Sequence, residues 1–448
     1  MAKSLTKEEI LYAVEKEGIK FIVLQFTDIM GSVKSATIPA GRLEEAFEHG
    51  VWFDGSSVEG FARIHESDMF LVPDPNTFCV LPWESENVRK ARLICDVYTP
   101  DCKPFEGDPR YILKRAIQRA RDLGYIYKVG AEIEFFLFKM NETPKPKPIP
   151  HDVGSYFDFS PRDQAAVVRS EIINLLQIMG IDMEMDHHEV SPGQHEVDIR
   201  YSDALTAADN VITTKFVIKA VAQAHNLHAS FMPKPIFGIN GSGMHTHQSL
   251  FTLDGRNAFY DPQDKYGLSQ LAYHFIAGQL EHAKALSAIL APTVNSYKRL
   301  VPGYEAPVYI CWGRINRSAL IRVPGFSAGK ENSARIELRC PDPSCNPYLA
   351  FAVMLHAGLE GVEKGLLPPD PVEEDVYHFD DARLKELYIR TLPGSLAEAL
   401  DEMEKSELMR KALGEHTFRR FLEAKRKEWD DYRIKVTDWE LDRYFFVL

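Results

Sequence analysis

Four strand-like stretches carry charged or metal-binding side chains at every second position, and this alternation limits the fold of the 448-residue chain more than any other feature. In a β-strand, residues i and i+2 point to the same face of the sheet. We therefore expect a sheet with one apolar face and one face that gathers acids, imidazoles and guanidinium groups. The stretches are GAEIEFFLF at 130–138, HHEVSPGQHEVDI at 187–199, MHTH at 244–247 and ARIELR at 334–339.

An acidic pair on a strand is usually a solvated face, but the neighbouring residues favour another interpretation here. Glu132 and Glu134 run into the apolar FFLF, and Glu196 is followed by Val197 and Ile199. An unpaired carboxylate in such a strand is unfavourable, whereas carboxylates crowded on one face are tolerated when divalent cations lie between them. Carboxylates with one or two imidazoles and no thiolate favour Mg²⁺ or Mn²⁺.

An arginine cluster near the C-terminal strands predicts an anion site. A structural or interfacial role is the commoner explanation of such a cluster, but in ARIELR Glu337 stands between two arginines on one strand face. The guanidinium fork suits phosphate and carboxylate equally well. A metal ligand between anion-binding groups is the arrangement that phosphoryl transfer requires. The cluster comprises Arg299, Arg314, Arg317, Arg322, Arg335 and Arg339.

Three loop-like segments add candidate binding groups. GINGSG at 238–243 is neither a Walker A motif nor G-x-G-x-x-G, so neither P-loop nor Rossmann binding is supported. Its glycines let backbone N–H groups approach an anion, and a plain turn is the alternative. Asp54, followed by Gly-Ser-Ser, favours an Asx turn. NSYKRLVPGYEAP at 295–307 has the composition of a mobile flap around Glu305.

Composition excludes several classes of function. The formal net charge of -13 argues against general nucleic-acid binding, which needs a basic face. The six cysteines include no C-x-x-C pair, which argues against a zinc ribbon or a disulfide scaffold. No apolar run approaches the roughly 18 residues of a membrane span. The polar start MAKSLTKEEI lacks a signal-peptide core, so we expect a cytoplasmic protein with no membrane association.

The sequence predicts a small, mostly β domain in the first hundred residues, followed by a larger α+β domain. Thr6 and Glu9 form a capping box that opens a short helix. Strands are predicted at FIVLQF from 21, FLVPD from 70 and ARLICDVY from 91. Helices are predicted from Asp108-Pro109 to near Gly124, from Ser160-Pro161 to Gly180, from Ser202 to about Asn226, at 268–290, at 346–364 and over most of the tail from 381.

KPIFGINGSGMHTH at 234–247, together with the flap segment 295–307, resembles the bacterial and archaeal type I glutamine synthetases, and motifs from FDGSS at 53–57 to ARIELRCPDP match over nearly the whole chain. The resemblance implies an α+β fold. A small N-terminal β-grasp domain at 1–104 would precede a glutamine synthetase/guanido kinase-like catalytic domain at 105–448, with a curved antiparallel sheet flanked by helices. It also implies a dodecamer of two stacked hexamers whose active sites lie between neighbouring subunits.

The resemblance implies that ATP converts the γ-carboxylate of L-glutamate to an acyl phosphate, which ammonia attacks to give L-glutamine, ADP and phosphate. A γ-glutamyl ligase for a larger amine and an inactive regulatory homologue are the alternatives. The presence of Asp54, Ser57, Asp68 and Glu305 favours ammonia, and the complete set of metal ligands argues against an inactive homologue.

Family roles carry over to matching positions of this sequence. Two or more Mg²⁺ or Mn²⁺ ions would bind, one at Glu134, Glu189 and Glu196 and another at Glu132, His245 and Glu337. The phosphates of ATP would bind His247, Arg317, Arg322 and Arg335. Glutamate would bind Asn240, Gly241, Arg299, Glu305 and Arg339, and ammonium would bind Asp54, Ser57, Asp68 and Glu305. Asp54, Glu305 and Arg317 would be the catalytic residues.

The resemblance also bears on regulation. The segment 365–381 is short and does not match the tyrosine-bearing segment of members controlled by adenylylation, which indicates the subtype without it. In that subtype, the position of Arg63 is associated with feedback inhibition by glutamine. We expect a nitrogen-responsive transcription factor or a small protein as the regulatory partner.

Overall fold

A computed structural model describes residues 5–56, 58, 60, 68–83, 86–140 and 147–448 as two packed units. The helices of the first unit are α1 (Lys7–Lys16) and α2 (Leu43–His49), and its strands are β1 (Phe21–Thr27), β2 (Val33–Pro39), β3 (Val51–Asp54), β4 (Asp68–Pro73), β5 (Cys79–Val80) and β6 (Lys90–Tyr98). These strands pair in the order β2-β1-β6-β4-β3, with β5 on β6.

The second unit is a large curved sheet with helices packed against it. Its strands are β7 (Tyr125–Lys139), β8 (Met183–His188), β9 (Gln194–Asp203), β10 (Leu227–Ser230), β11 (Thr246–Thr252), β12 (Tyr309–Gly313), β13 (Ala319–Arg322), β14 (Ile336–Leu338) and β15 (Arg390–Thr391). Its helices are α3 (Pro109–Asp122), α4 (Ala166–Ile178), α5 (Ala204–Ala224), α6 (Gln270–Leu290), α7 (Ser296–Arg299), α8 (Pro347–Lys364), α9 (Asp381–Glu386), α10 (Leu396–Glu404), α11 (Glu407–Leu413), α12 (Glu415–Arg433) and α13 (Asp438–Tyr444).

The predicted capping box is confirmed at the start of α1. The Glu9 N–H donates to Thr6 Oγ1 over 3.2 Å, and the Thr6 N–H donates to Glu9 Oε2 over 2.8 Å. Two of the backbone donors that a helix leaves unpaired at its start are thereby satisfied. The three predicted strands of the first unit are also present, as β1, β4 and β6.

The second sheet is antiparallel, as the resemblance implies, except for one parallel pair that makes it mixed. Its strands run in the order β15-β12-β13-β14-β11-β7-β9-β8, with β10 on β7. The pair β12 and β13 is parallel, with Tyr309 opposite Ala319, whereas the other pairs are antiparallel. The short segment 314–318 returns the chain to the level at which β12 began, so β13 starts in the same direction beside it.

The predicted helix at 160–180 begins later than its sequence signal. The helix α4 starts at Ala166, and the Ser160–Pro161 peptide bond is cis, outside the helix. Asp163 explains the later start, because its carboxylate accepts the Ala165 N–H and binds the Arg169 guanidinium of the first turn. The acid therefore organises this helix end in place of the predicted Ser-Pro cap.

The alternation along β7 separates the core from the polar face as predicted. Ile133 and Phe135 are fully buried in the main hydrophobic cluster, while Glu132 and Glu134 line a cavity on the other side. Helices α6 and α8 pack closely in this core, where a Cβ at Gly278 would lie 2.1 Å from the Ala357 carbonyl oxygen. The glycine is required there because any side chain would push the two helices apart.

A buried arginine joins the two units. Arg110 in α3 forms ion pairs with Asp74 and Asp96 of the first unit at 2.8 and 2.7 Å, and with Asp209 of α5 at 3.0 Å. Its side chain is 3% exposed, so these carboxylates neutralise a charge that could not otherwise be buried. This guanidinium group is therefore one of the contacts that fix the relative position of the two units, together with Asn346, whose Nδ2 donates to the Asp28 carbonyl at 3.0 Å.

No helix in the described part of the chain has both the length and the apolar character needed to cross a membrane. All six cysteines are free thiols.

Candidate active site

The polar face of the second sheet lines a cavity of about 410 Å³, here called the main cavity. Strands β7, β8, β9, β11 and β14 bring acids and histidines to it from distant parts of the sequence. Glu305 of the flap lies at its mouth. The predicted site residues in its wall are Glu132, Glu134, Glu189, Glu196, Asn240, Gly241, His245, Arg299, Glu305, Arg317, Arg322, Glu337 and Arg339.

A smaller cavity of about 290 Å³ adjoins the first, and we call it the adjoining cavity. His247 and Arg335 line it, and Arg335 Nε donates a hydrogen bond to His247 Nδ1 over 3.1 Å. Glu132 and Asp198 belong to the walls of both cavities. The two-residue step from His245 to His247 therefore leads from one cavity to the next, as the predicted division between metal and phosphate requires.

One predicted metal cluster is assembled from β7, β14 and the residue directly before β11. Ligand atoms of Glu132, His245 and Glu337 all lie within 4.8 Å of one another. His245 Nδ1 lies 3.1 Å from Glu132 Oε2 and 3.8 Å from Glu337 Oε1. These positions follow from the pairing of β11 with both β7 and β14, since that pairing places the three side chains on one face.

The second cluster contains a residue that the sequence analysis missed. Ligand atoms of His187, Glu189 and Glu196 lie within 4.8 Å of one another, so His187 joins two of the predicted ligands. His187 Nδ1 faces the backbone carbonyl of His188 at 3.1 Å, which leaves Nε2 directed toward Glu196. Metal-binding histidines commonly anchor their second nitrogen in this way. The alternation rule could have found His187, because it lies two residues before Glu189.

Glu134, the third predicted ligand of that site, lies at the back of the same cavity. Its Oε2 accepts hydrogen bonds from Gln194 Nε2 at 3.0 Å and from the Gly243 N–H at 2.9 Å. Its Oε1 lies 3.8 Å from His245 Nε2. Glu134 therefore stands between the two clusters with one oxygen held by the protein.

A buried aspartate holds the hairpin that carries the second cluster. Asp152 Oδ1 accepts the Gly193 N–H at 3.0 Å and lies 3.1 Å from His188 Nε2. His188 is the last residue of β8, and Gly193 is the last residue of the turn before β9. The two carboxylates are thus supported by side-chain contacts from outside the hairpin.

The two clusters differ in charge. Burial would raise the pKa of Glu132, but His247 and His245 beside it hold that pKa well below the usual value. In the second cluster, burial raises the pKa of Glu189 to about 9, with the charges of Glu134 and Glu305 adding to the effect. Burial and the same crowding also raise the pKa of Glu196. Without a cation, the carboxylates of Glu132 and Glu337 are therefore ionised at neutral pH, whereas Glu189 holds a proton.

The donor atoms fit divalent cations. Glu189 Oε2 and Asp198 Oδ1 are buried atoms without a hydrogen-bond partner in the described structure. Asp198 stands directly opposite Glu132 in the pairing of β9 with β7, where like charges repel unless a cation lies between them. Oxygen ligands with one imidazole at each cluster and no thiolate suit Mg²⁺ or Mn²⁺.

Cation binding is expected to release protons from the second cluster. Because the pKa of Glu189 is raised from 4.5 to about 9, a cation must displace its proton, and the apparent Kd should fall by about tenfold per pH unit for each proton displaced. Titration with Mn²⁺ in weakly buffered solution between pH 6 and 9 measures the release. The variant Glu189→Gln should release fewer protons, and pH-independent affinity in the unmodified protein would contradict the assignment.

The raised pKa of Glu189 also determines whether the metal-free protein becomes more or less stable as the pH rises. A carboxyl with a raised folded-state pKa stabilises the fold below its unfolded value and loses that contribution as the pH rises to its folded value. For Glu189 this window runs from about 4.5 to about 9. The melting temperature of the metal-free protein should therefore decrease across this range, and Mn²⁺ should reverse the decrease.

Some guanidinium nitrogens of the site are already bound by the protein, and others are free to bind a ligand. Arg322 and Arg339 both form ion pairs with Glu337, while Nη1 of Arg339 is buried without a partner in the described structure. Arg299, predicted to bind glutamate, lines the cavity but donates to the carbonyls of Cys340 at 2.9 Å and Arg339 at 3.1 Å. Arg317 is exposed at the rim. Arg339 therefore has a donor ready for an anion, and Arg299 also organises the backbone.

The glycine loop is held tightly against the main cavity. A Cβ at Gly241 would lie 2.2 Å from the carbonyl oxygen of Pro233, so only glycine fits there. Gln194 Nε2 donates to the Gly241 carbonyl at 3.0 Å, and Asn240 Nδ2 donates to Glu305 Oε2 at 3.2 Å. The loop therefore forms a fixed part of the cavity wall and contacts the flap. It is more than the plain turn that was the alternative.

The predicted ammonium residues are only partly brought together. Asp54 and Asp68 stand directly opposite each other across β3 and β4, and Asp54 Oδ1 accepts the Ser56 N–H at 2.8 Å in the predicted Asx turn. Neither acid belongs to the described wall of the main cavity, unlike Glu305. Ser57, Arg63, which is predicted to take part in feedback inhibition, and the remainder of 61–67 lie outside the described residues.

Comparison with known proteins gives matches over both units. The family model for "Glutamine synthetase, catalytic domain" matches residues 106–444, and that for "Glutamine synthetase, beta-Grasp domain" matches residues 18–100. A glutamine synthetase of Methanosarcina mazei is 54% identical over 448 residues, which are 100% of this chain and 99% of the relative. One of Thermus thermophilus is 54% identical over 444 residues, which are 98% of each chain. A solved structure of a GmaS/ADP complex has a TM-score of 0.88 and 32% identity, and the match covers 97% of this chain and 99% of that one.

Proposed function

The chain belongs to the glutamine synthetase family and catalyses ATP-dependent glutamine synthesis, and from this premise we propose how its residues divide the reaction. One observation carries the proposal. The main cavity is lined by two clusters that fit cations and by Arg339, whose Nη1 has no partner in the described structure. The adjoining cavity is lined by His247 and Arg335, and Glu132 belongs to the walls of both cavities. Such an arrangement can bring an acidic substrate and nucleotide phosphates to one place.

We propose that Mg²⁺ or Mn²⁺ binds at both clusters. Glu132, His245 and Glu337 would form one site, and Glu189, Glu196 and Glu134 the other, with His187 close to Glu189 and Glu196. When bound, such cations neutralise phosphate charge and polarise the transferring group. The buried, unpartnered Glu189 Oε2 supports the second site.

The adjoining cavity is the proposed nucleotide site. Arg335 and His247 would contact the phosphates there, and Arg317 and Arg322 would reach them from the main cavity. Arg335 donates to His247 Nδ1, so it holds that imidazole in one orientation. Guanidinium groups stabilise the negative charge of the transferring phosphoryl group without taking part in covalent chemistry.

Glutamate is proposed to bind between the glycine loop and the arginines. The unpartnered Nη1 of Arg339 suits a carboxylate of the substrate. Arg299 would add its charge, and the backbone at Asn240 and Gly241 would bind the amino-acid end. Glu305 reaches the same place from the flap through its hydrogen bond with Asn240.

The ammonium pocket is proposed to be completed by a second copy of the chain. Asp54 and Asp68 face the same side of their strands at an exposed position. Two carboxylates directly opposite each other repel unless a cation lies between them. With Ser57 and with Glu305 of the neighbouring chain, they would bind ammonium, and Asp54 would take its proton. This supports an active site between subunits and hence the proposed dodecamer of two stacked hexamers.

The C-terminal tail gives independent support for assembly. Trp439 is 65% exposed, and Phe445, Phe446 and Leu448 are 69%, 93% and 98% exposed. A contiguous apolar segment of this kind normally packs against another protein surface. A second copy of the chain is the proposed partner.

Regulation and location also follow as proposals. In the segment 365–381, the Tyr377 hydroxyl donates to the Ala306 carbonyl at 2.6 Å, which commits this tyrosine to an internal contact and supports the subtype without adenylylation. Glutamine feedback at Arg63 and a nitrogen-responsive regulatory partner remain predictions.

The free thiols fit a cytoplasmic location. We retain a domain boundary between 104 and 105, within the linker from β6 to α3.

An amine-specificity assay tests the proposed function. The purified protein should release phosphate from ATP and form glutamine only when glutamate, ammonium and Mg²⁺ or Mn²⁺ are all present. Replacing ammonium with spermidine should reduce turnover by at least about 100-fold, since two aspartates and a closing glutamate fit a small cation. Equal turnover with the polyamine would favour the larger-amine ligase, and no turnover with either amine would favour the inactive homologue.

A further inference from the structure

A buried lysine, Lys234, lies between the glycine loop 238–243 and the flap 295–307. Its Nζ donates a hydrogen bond to the carbonyl of Ile239 and lies 3.9 Å from the centroid of the Tyr304 ring. Lys234 is 8% exposed. One side chain thus contacts both segments that carry the proposed glutamate-binding groups.

The Lys234 ammonium has few groups to balance its charge. Among the described residues, no carboxylate lies within ion-pair distance of Nζ, which has the Ile239 carbonyl and the face of Tyr304 as its partners. Burial, and then the charge of Arg299, lower the pKa of Lys234. A desolvated cation is attracted strongly to the face of an aromatic ring. The position of Tyr304 therefore matters more to this lysine than it would at an exposed site.

The backbone of Lys234 is fixed without the help of its side chain. Asn295 Oδ1 accepts the Lys234 N–H at 2.8 Å, and Asn295 Nδ2 donates to the Lys234 carbonyl at 3.0 Å. The Ser242 N–H also donates to the Pro233 carbonyl at 2.8 Å. Removing the side chain would therefore leave these backbone contacts in place, including those with Asn295 at the start of the flap, while releasing the part of the flap around Tyr304.

The flap holds a strained backbone conformation next to this contact. Glu305 has a φ of 58°, a left-handed conformation that non-glycine residues adopt only when their surroundings hold them there. The contacts on either side are Lys234 with Tyr304 and Tyr377 with the Ala306 carbonyl. The Glu305 side chain itself reaches Asn240. The tip of the flap, residues 304–306, is thus held by three separate contacts.

We propose that Lys234 is a positioning residue that latches the flap to the glycine loop through the ring of Tyr304. The latch keeps Glu305 over Asn240 and so keeps water out of the main cavity while the acyl phosphate exists. This inference rests on the proposed function. It assigns to Lys234 the coupling of ATP use to glutamine formation and assigns it no contact with the substrate.

The side reaction that the latch prevents is hydrolysis of the acyl phosphate. When water replaces ammonia, its oxygen bonds to the γ-carbonyl carbon, and the bond from that carbon to the phosphate oxygen breaks. The products are glutamate and inorganic phosphate, with the proton of water released to solvent. The net reaction is ATP hydrolysis without glutamine, so a loose flap raises the ratio of phosphate released to glutamine formed.

The ratio of phosphate to glutamine is therefore the measurement. The unmodified protein should give a ratio near one at saturating and at limiting ammonium. Lys234→Met should raise the ratio at least about twofold at limiting ammonium and increase the KM for glutamate severalfold, with a smaller change in kcat. Tyr304→Leu, which removes the ring, should do the same, whereas Tyr304→Phe, which keeps it, should leave the ratio near one.

A matched control comes from another lysine over an aromatic ring. Lys7 Nζ lies 5.6 Å from the centroid of the Phe47 ring and donates to the Phe47 carbonyl at 3.1 Å, in the first unit, and Lys7→Met should leave the ratio and the KM unchanged. The double variant Lys234→Met/Tyr304→Leu should be no worse than either single variant, because both remove the same contact. Circular dichroism and light scattering check folding and assembly, and the two Tyr304 variants test the contact if Lys234→Met fails to fold.

The outcomes separate this inference from the proposed function. If the unmodified protein forms no glutamine, the proposed function itself is wrong. If it forms glutamine and Lys234→Met keeps a ratio near one and an unchanged KM, the latch is wrong while the function stands. Fully additive effects of Lys234→Met and Tyr304→Leu would also overturn the latch.

Discussion

Replacing Glu337 by glutamine is expected to reduce kcat by about 10²–10³-fold or more, because the change removes one negative ligand from the first cluster. Glu337 also forms ion pairs with Arg322 and Arg339, and its side chain is 1% exposed. Without it, the two guanidinium groups would no longer be held beside His245. Steady-state kinetics at saturating ATP, glutamate, ammonium and Mn²⁺ provide the measurement.

Melting temperatures and two control variants distinguish the loss of a metal ligand from unfolding of the protein. Loss of a buried charged partner destabilises a fold by about 3–5 kcal/mol, so the melting temperature is recorded with each variant. Glu132→Gln removes a ligand from the same cluster without breaking the arginine pairs and should also abolish most turnover. Glu331→Gln changes an exposed acid six positions earlier and should retain activity. Full activity of Glu337→Gln would refute its assignment as a ligand.

Co-expression of two inactive variants is expected to restore activity. Asp54→Asn should lose glutamine synthesis because ammonium loses its acceptor carboxylate, and Glu337→Gln should lose it as described. If each site takes Asp54 from a neighbouring chain, random mixing leaves about a quarter of the sites with both intact halves. Hybrid assemblies purified through two different affinity tags should then have about a quarter of the unmodified activity.

The control for mixing is a double variant, Asp54→Asn/Glu337→Gln, co-expressed with the unmodified chain. Shared sites predict about a quarter of the activity for this mixture too, whereas sites within one chain predict about a half. Sites within one chain also predict no recovery when the two single variants are mixed. The pair of measurements therefore decides where Asp54 acts.

The parts of the site that depend on strand alternation could be predicted from the sequence. Glu132 and Glu134, or Glu337 and Arg339, share a face whatever the rest of the fold does, because the spacing alone fixes this. The same rule applied to 187–189 would have added His187. The motif resemblance then related stretches that are far apart in the sequence, which spacing alone could not do.

The remaining features depend on contacts between distant residues. Nothing in the sequence around Arg299 indicates that its guanidinium donates to the carbonyls of Arg339 and Cys340. The late start of α4 depends on Asp163, and the parallel pairing of β12 with β13 depends on how five residues turn back. Cap and turn signals describe local preference, and tertiary contacts can override them.

The position of Glu132 in both cavity walls has a thermodynamic consequence. A cation at the first cluster reduces the negative charge that Glu132 presents to nucleotide phosphates next door, so it should favour nucleotide binding. By linkage, the nucleotide must then tighten cation binding by the same factor. If both proposed sites are occupied in this way, the affinity of this protein for ATP should depend on the free concentration of the divalent cation, and each dissociation constant should be measured at a stated concentration of the other ligand.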